Sequence, residues 1–227
     1  MGYIKKNIEI RNNRRNEIFT MKNLIKYSLL FFAFILVTNF LQGCSASEQL
    51  SLRDFENSIV TAQLWGGTPA VDSLAKKHTI SHITLHHQGK PFPKGKDPIQ
   101  YLRNLQTWSR RDKHWIDIPY HYIIDLDGKV YEGRDIKYAG DTNTEYDPTG
   151  HALIEVVGNF EEVEPNQNQL DAVVKTMTWL AEKYNVHADS IRGHKDYSSI
   201  TVCPGKNLYR YLESGYFMEK VKQNLIK

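Results

Sequence analysis

Residues 152–184 read ALIEVVGNFEEVEPNQNQLDAVVKTMTWLAEKY. The first seven, ALIEVVG, form a mostly apolar run of strand length. A run of that kind suits a strand in the middle of a sheet, covered on both faces. A single charge, Glu155, interrupts it. Beyond a polar stretch, Leu170, Val173, Val174, Met177, Leu180 and Tyr184 fall on one helical stripe, which predicts an amphipathic helix over 166–184 with Asn185 as its C-cap. A buried strand followed by a one-sided helix is the unit from which α/β domains are built.

The flanking sequence extends the same alternation. In residues 78–87 (HTISHITLHH), Ile83 and Leu85 point one way and His82, Thr84 and His86 the other, as in a strand. Asp97-Pro98 starts a helix, with aspartate as N-cap and proline in the first turn, and Ile99, Leu102, Leu105 and Trp108 follow at helical spacing. Residues 120–132 (YHYIIDLDGKVYE) predict a β-hairpin turning at Asp127-Gly128. Residues 135–150, rich in Gly, Asp, Asn and Thr, predict a loop over a binding face. A short strand near Ile191 leads into GHKDYSSITVCPG, and the tail from Lys206 predicts helix, with Leu208, Tyr211, Leu212 and Phe217 available for packing. The chain has neither internal repeats nor low-complexity tracts.

Composition narrows the class of function. With 41% hydrophobic and 24% charged residues, the 227-residue chain is not a disordered one. The net charge of +3 is unevenly placed: residues 1–43 hold 7 Lys+Arg against 2 Asp+Glu, and residues 44–227 hold 22 against 24. The body of the chain therefore gives no electrostatic case for nucleic-acid binding. Two cysteines, Cys44 and Cys203, exclude a disulfide-stapled miniature fold.

From Met21 the text MKNLIKYSLLFFAFILVTNFLQGC sets Lys22 and Lys26 before an apolar run, Leu29 to Val37. That run is too short to span a bilayer and has the length of a secretory signal core. It ends at Leu41-Gln42-Gly43-Cys44, which resembles the lipobox of bacterial lipoproteins, where cleavage leaves the cysteine first and its thiol takes a lipid. The expected organisation is a signal segment over 1–43 with Met21 as its start, a polar tether over 44–58 and a functional domain over 59–227. The expected address is the periplasmic side of a bacterial membrane, Ser45 favouring the outer one. Ordinary cleavage, or an uncleaved anchor, would leave Cys44 a bystander.

His86, at the end of its strand, and His194 and Cys203, in a Gly- and Pro-flanked segment, are the chemically informative set. Two imidazoles and a thiolate suit zinc, and three protein ligands leave a fourth position for water, the arrangement of a catalytic site. Nine histidines produce such sets by chance as well, so spacing alone does not select a zinc site over structural residues.

The wider text resembles the zinc amidases of peptidoglycan: N-acetylmuramoyl-L-alanine amidases, phage-lysozyme-type amidases and animal peptidoglycan recognition proteins. Five motifs carry the likeness in order: IVTAQLWGGTP (59–69), ITLHH (83–87), DIPYHYIIDLDGKVYEGRD (117–135), LIEVVGNF (153–160) and RGHKDYSSITVCPG (192–205). The resemblance implies an α/β domain with a central mixed β-sheet flanked by helices. It implies one zinc ion on His86, His194 and Cys203. It gives Glu155 the role of general base, Tyr120 a place beside the attacking water, and Thr201 a hydrogen bond to the developing oxyanion. The reaction implied is hydrolysis of the amide between N-acetylmuramic acid and L-alanine, with peptidoglycan or its fragments as substrate, a lipid-held membrane partner and a monomeric enzyme. The interval from His194 to Cys203 is one residue longer than the family usually shows. Two other functions stay open on these residues: a non-catalytic peptidoglycan-binding module, and a zinc peptidase cutting within the stem peptide. Read singly, Tyr120 is a packing aromatic, Glu155 one end of an ion pair with Arg192 or Lys195, and Asp196 a group that orients a ligand.

Overall fold

β4 (His151–Val156) lies at the centre of a five-stranded sheet of order β3-β2-β4-β1-β5. All six of its residues are buried, as its apolar run predicts. The computed structural model describes residues 52–70 and 72–226. β1 (His82–His87) runs parallel to β4 on one side and to β5 (Ile191–Gly193) on the other. β2 (Tyr122–Ile124) is parallel to β4, and β3 (Val130–Glu132) closes an antiparallel hairpin on β2. The sheet is therefore mixed. The hairpin turns through Gly128, whose φ of 78° is a left-handed conformation that glycine adopts without steric cost.

Each face of the sheet has its own cover. Ile83, Leu85, Ala152, Ile154 and Val156 point into a core shared with α4 (Gln167–Tyr184), α5 (Lys206–Glu213) and α6 (Tyr216–Leu225). Leu170, Val173, Met177 and Leu180 of the predicted α4 stripe are buried there, and each such side chain contributes about 1.5–3 kcal/mol by leaving water. Asn166 caps the start of α4 in a reciprocal box with Gln169, and Asn185, at φ 53°, ends it. The predicted C-terminal helix is two helices, broken at Gly215 (φ 79°). On the other face, α3 (Pro98–Asp112) packs Tyr101 and Leu102 with Trp65, Ile118 and Ile123. Asp97 caps α3 by accepting from the Ile99 N–H.

Of the expected tether over 44–58, residues 52–58 are described. Residues 52–58 (α1) and Ala62–Trp65 (α2) are helical, and Leu52 and Phe55, three apart and so on one helix face, pack on the larger core. The Phe55 ring meets Trp179 edge-on at 5.9 Å, and Glu56 pairs with Lys183 of α4. Residues 52–58 thus pack with the domain expected over 59–227. The signal segment, its start at Met21 and Cys44 lie outside the described residues. Among those residues, no helix is long and apolar enough to cross a membrane.

Candidate active site

Strand register builds the site. His86 on β1 is the direct neighbour of Glu155 on β4, and side chains of paired residues share a face. Both therefore project to the α3 side, away from the larger core. β5 ends at Gly193, and His194 emerges beside the end of β1. Gly193 is required by crowding: a Cβ there would sit 2.9 Å from the Pro204 ring. The turn that presents His194 is held by Asp196, which accepts from the Gly193 N–H at 2.7 Å and from the Tyr209 hydroxyl at 2.6 Å. Asp196 thus supports the backbone of a ligand and not its ring.

One ligand atom each from His86, His194 and Cys203 lies within 4.8 Å of the others, and all three residues are buried. The Cys203 Sγ is 3.6 Å from His86 Nδ1, the spacing that zinc bonds of about 2.3 Å to sulfur and about 2.0 Å to nitrogen give at a tetrahedral angle. His86 Nε2 is buried with no hydrogen-bond partner, so neither ring nitrogen is committed to an oxygen of the chain. The Thr144 hydroxyl meets His194 Nε2 at 2.8 Å and can fix that ring's tautomer and orientation. Burial holds the His86 and His194 imidazoles below their ordinary range, His194 at about 4, so both are neutral donors at pH 7. Burial also pushes the Cys203 thiol up to about 12. A metal that displaces its proton would compensate for that cost. The three residues fit a zinc ion. The loop at Ser198–Ile200, ahead of Cys203, is held by Glu145, which accepts from the Ser198 hydroxyl and the Ser199 N–H.

The three donors lie in a cleft of about 530 Å³, which Glu155, Tyr120 and Thr201 also line. Glu155 is fully buried, and burial raises its carboxyl to about 8. Its partner is neither Arg192 nor Lys195. The Tyr101 hydroxyl donates to both carboxylate oxygens at 3.0 Å. Tyr120 sets its ring 5.1 Å from that of His86, and burial, with Glu155 next, raises its hydroxyl well above the ordinary value. Thr201 Oγ1 accepts from the Cys203 N–H at 3.1 Å, which leaves the hydroxyl proton free to donate.

Five other histidines, His78, His82, His87, His121 and His151, make structural contacts. His78 and His121 each join two backbone groups. His82 stacks on His151 at 4.8 Å, and His151 bonds Thr84 at 2.8 Å. His87 accepts the Phe160 N–H. Burial lowers His87 and His151 to about 4. Unfolded imidazoles titrate near 6.5, so as pH falls from about 6.5 to 4 the unfolded chain takes up protons that the folded one refuses. Stability of the metal-free protein should therefore drop over that window, by about 1–3 kcal/mol for each of the two. Urea denaturation in chelator at pH 7 and pH 4.5 measures this, and equal midpoints would contradict it.

Residues 76–206 match the sequence profile described as N-acetylmuramoyl-L-alanine amidase. The chain belongs to the N-acetylmuramoyl-L-alanine amidase family. Peptidoglycan-recognition protein SD of Drosophila simulans is 32% identical over 166 residues, 70% of this chain and 86% of that one. Peptidoglycan recognition protein 1 of Mus musculus is 28% identical over 175 residues, 76% and 95% of the two chains. Among solved structures, the complex of peptidoglycan recognition proteins LCa and LCx bound to tracheal cytotoxin superposes with a TM-score of 0.60 at 26% identity. The match covers 68% of this chain and 94% of that one. Within this amidase-family fold, the sequence reading missed Tyr101 and Thr144. Their partners lie 54 and 50 residues away, and no local pattern marks either.

Proposed function

We propose that this chain is a zinc-dependent N-acetylmuramoyl-L-alanine amidase, cleaving the amide between the lactyl group of N-acetylmuramic acid and the L-alanine of the stem peptide. The observation that carries the reading is the convergence of His86, His194 and Cys203 in one cleft with a buried carboxylate, Glu155. Family membership supports the reaction, and the tracheal cytotoxin held by the LCa–LCx complex supports a muropeptide ligand. When bound, zinc would supply a Lewis acid, a water acidic enough to attack near neutral pH, and a positive charge that favours ionised Glu155. Glu155 takes the proton of the attacking water and passes it to the leaving amine of L-alanine. Tyr101 holds the carboxylate in place for both transfers. The Tyr120 hydroxyl orients the water, and Thr201 donates to the oxyanion as the carbonyl becomes tetrahedral.

The export signal and the Cys44 lipid anchor belong to the same proposal and rest on the sequence of residues 21–44. The enzyme would act as a monomer held on the periplasmic side of a membrane. Digestion of defined muropeptides, with and without chelator, tests the chemistry. The expected product is stem peptide with a free L-alanine amino terminus, formed only with zinc present. Cleavage inside the peptide would identify a zinc peptidase, and binding without cleavage a recognition module.

A further inference from the structure

The charged lining of the cleft is unbalanced. Its acids are both engaged: Asp141 pairs with Arg134, and Glu155 is buried under the Tyr101 hydroxyl. Its cations, Lys90 and Lys96, have no acidic partner among the described residues. General basicity does not explain this, because residues 44–227 carry two more acidic than basic side chains. The loop that bears both lysines is tied to the end of β4 by the Gln88 and Gly89 N–H groups, which donate to Val156 and Gly158 at 3.0 Å. The Lys96 ammonium rests over the rings of Phe92 at 4.8 Å and Tyr101 at 5.3 Å. Since Tyr101 bonds Glu155, this cation sits next to the reaction centre, and Lys90 follows His86 by only four residues.

We propose that Lys90 and Lys96 form an anion subsite that binds the stem-peptide carboxylate nearest the scissile amide, the free carboxylate of the second residue. The inference rests on the amidase reading for where the scissile amide lies. An extended peptide advances about 3.3–3.6 Å per residue, so a group one residue beyond L-alanine is still beside the centre. Two exposed ammonium groups on the cleft wall favour a carboxylate over a carboxamide through charge-assisted hydrogen bonds.

The test uses two muramyl tripeptides identical except at the second residue, one with the free carboxylate and one with its carboxamide. Calorimetric Kd and steady-state KM are measured for the wild type, for K90Q/K96Q and for K94Q, a lysine of the same loop outside the cleft. The expected result is roughly tenfold tighter binding of the carboxylate form by the wild type and by K94Q. K90Q/K96Q should lose that preference and bind the two peptides with equal Kd, and added salt should erase it in the wild type. Equal binding of the two peptides by the wild type, or a preference that survives in K90Q/K96Q, overturns the proposal. A preference found without any hydrolysis would leave the subsite standing and refute the amidase reading instead.

Discussion

Cys203→Ala should remove zinc and hydrolysis together while leaving the fold intact. Cys203 Sγ is within tetrahedral-edge distance of His86 Nδ1 and completes the only group of three or more potential metal ligands found among the described residues. With its thiol pushed to about 12 by burial, the sulfur has no reason to ionise unless a cation replaces the proton. Two imidazoles alone would hold zinc weakly. The loss of activity should exceed the roughly 10–100-fold that removing a residue supporting a ligand costs. The folded chain itself should tolerate the change, because the polar contacts of the sulfur in the protein are the His86 nitrogen and the His87 N–H at 3.4 Å. Metal content after dialysis, the thermal midpoint and muropeptide turnover measure the three consequences. A variant that keeps stoichiometric zinc and full turnover would refute the ligand assignment.

Glu155→Gln should keep zinc and substrate binding and lose about 10²–10⁴-fold in kcat, the range over which a positioned proton-transfer group acts. Glutamine has the same shape and still offers an oxygen to the Tyr101 hydroxyl, so the change removes proton transfer with little repacking. Tyr101→Phe makes the complementary change. It leaves the carboxylate and deletes its hydrogen-bond donor, so its loss should be smaller, about tenfold, in line with one hydrogen bond to a charged group. If Glu155→Gln turned over at the wild-type rate, proton transfer would have to be assigned to Tyr120, whose ring lies against His86.

Most of the architecture was legible in the sequence because it is written locally. The apolar run of β4, the α4 stripe, the Asp97-Pro98 helix start and the Asp127-Gly128 turn each depend on near neighbours, and each forms where it was expected. The helix over 52–58 is not legible in the sequence for a related reason. Leu52 and Phe55 carry little periodicity in so short a segment, and only the surface of α4, with Trp179 in it, gives them something to pack against.

The sequence by itself determined which side chains were available: two histidines and a cysteine able to ligate a metal, one carboxylate set into an apolar strand, and motifs in the order of a family. Tertiary structure decided how they are used. Parallel pairing of β1 with β4 placed Glu155 beside His86, and Gly193 with the Asp196-held turn brought His194 and Cys203 to the same point. The partner of Glu155 could not be read in advance. Arg192 and Lys195 match it by charge, but a buried carboxyl is satisfied by whatever donor the fold places within about 3 Å, and α3 delivers the Tyr101 hydroxyl. Hydrogen bonds of this length depend on packing between elements distant in the chain, which no local pattern records.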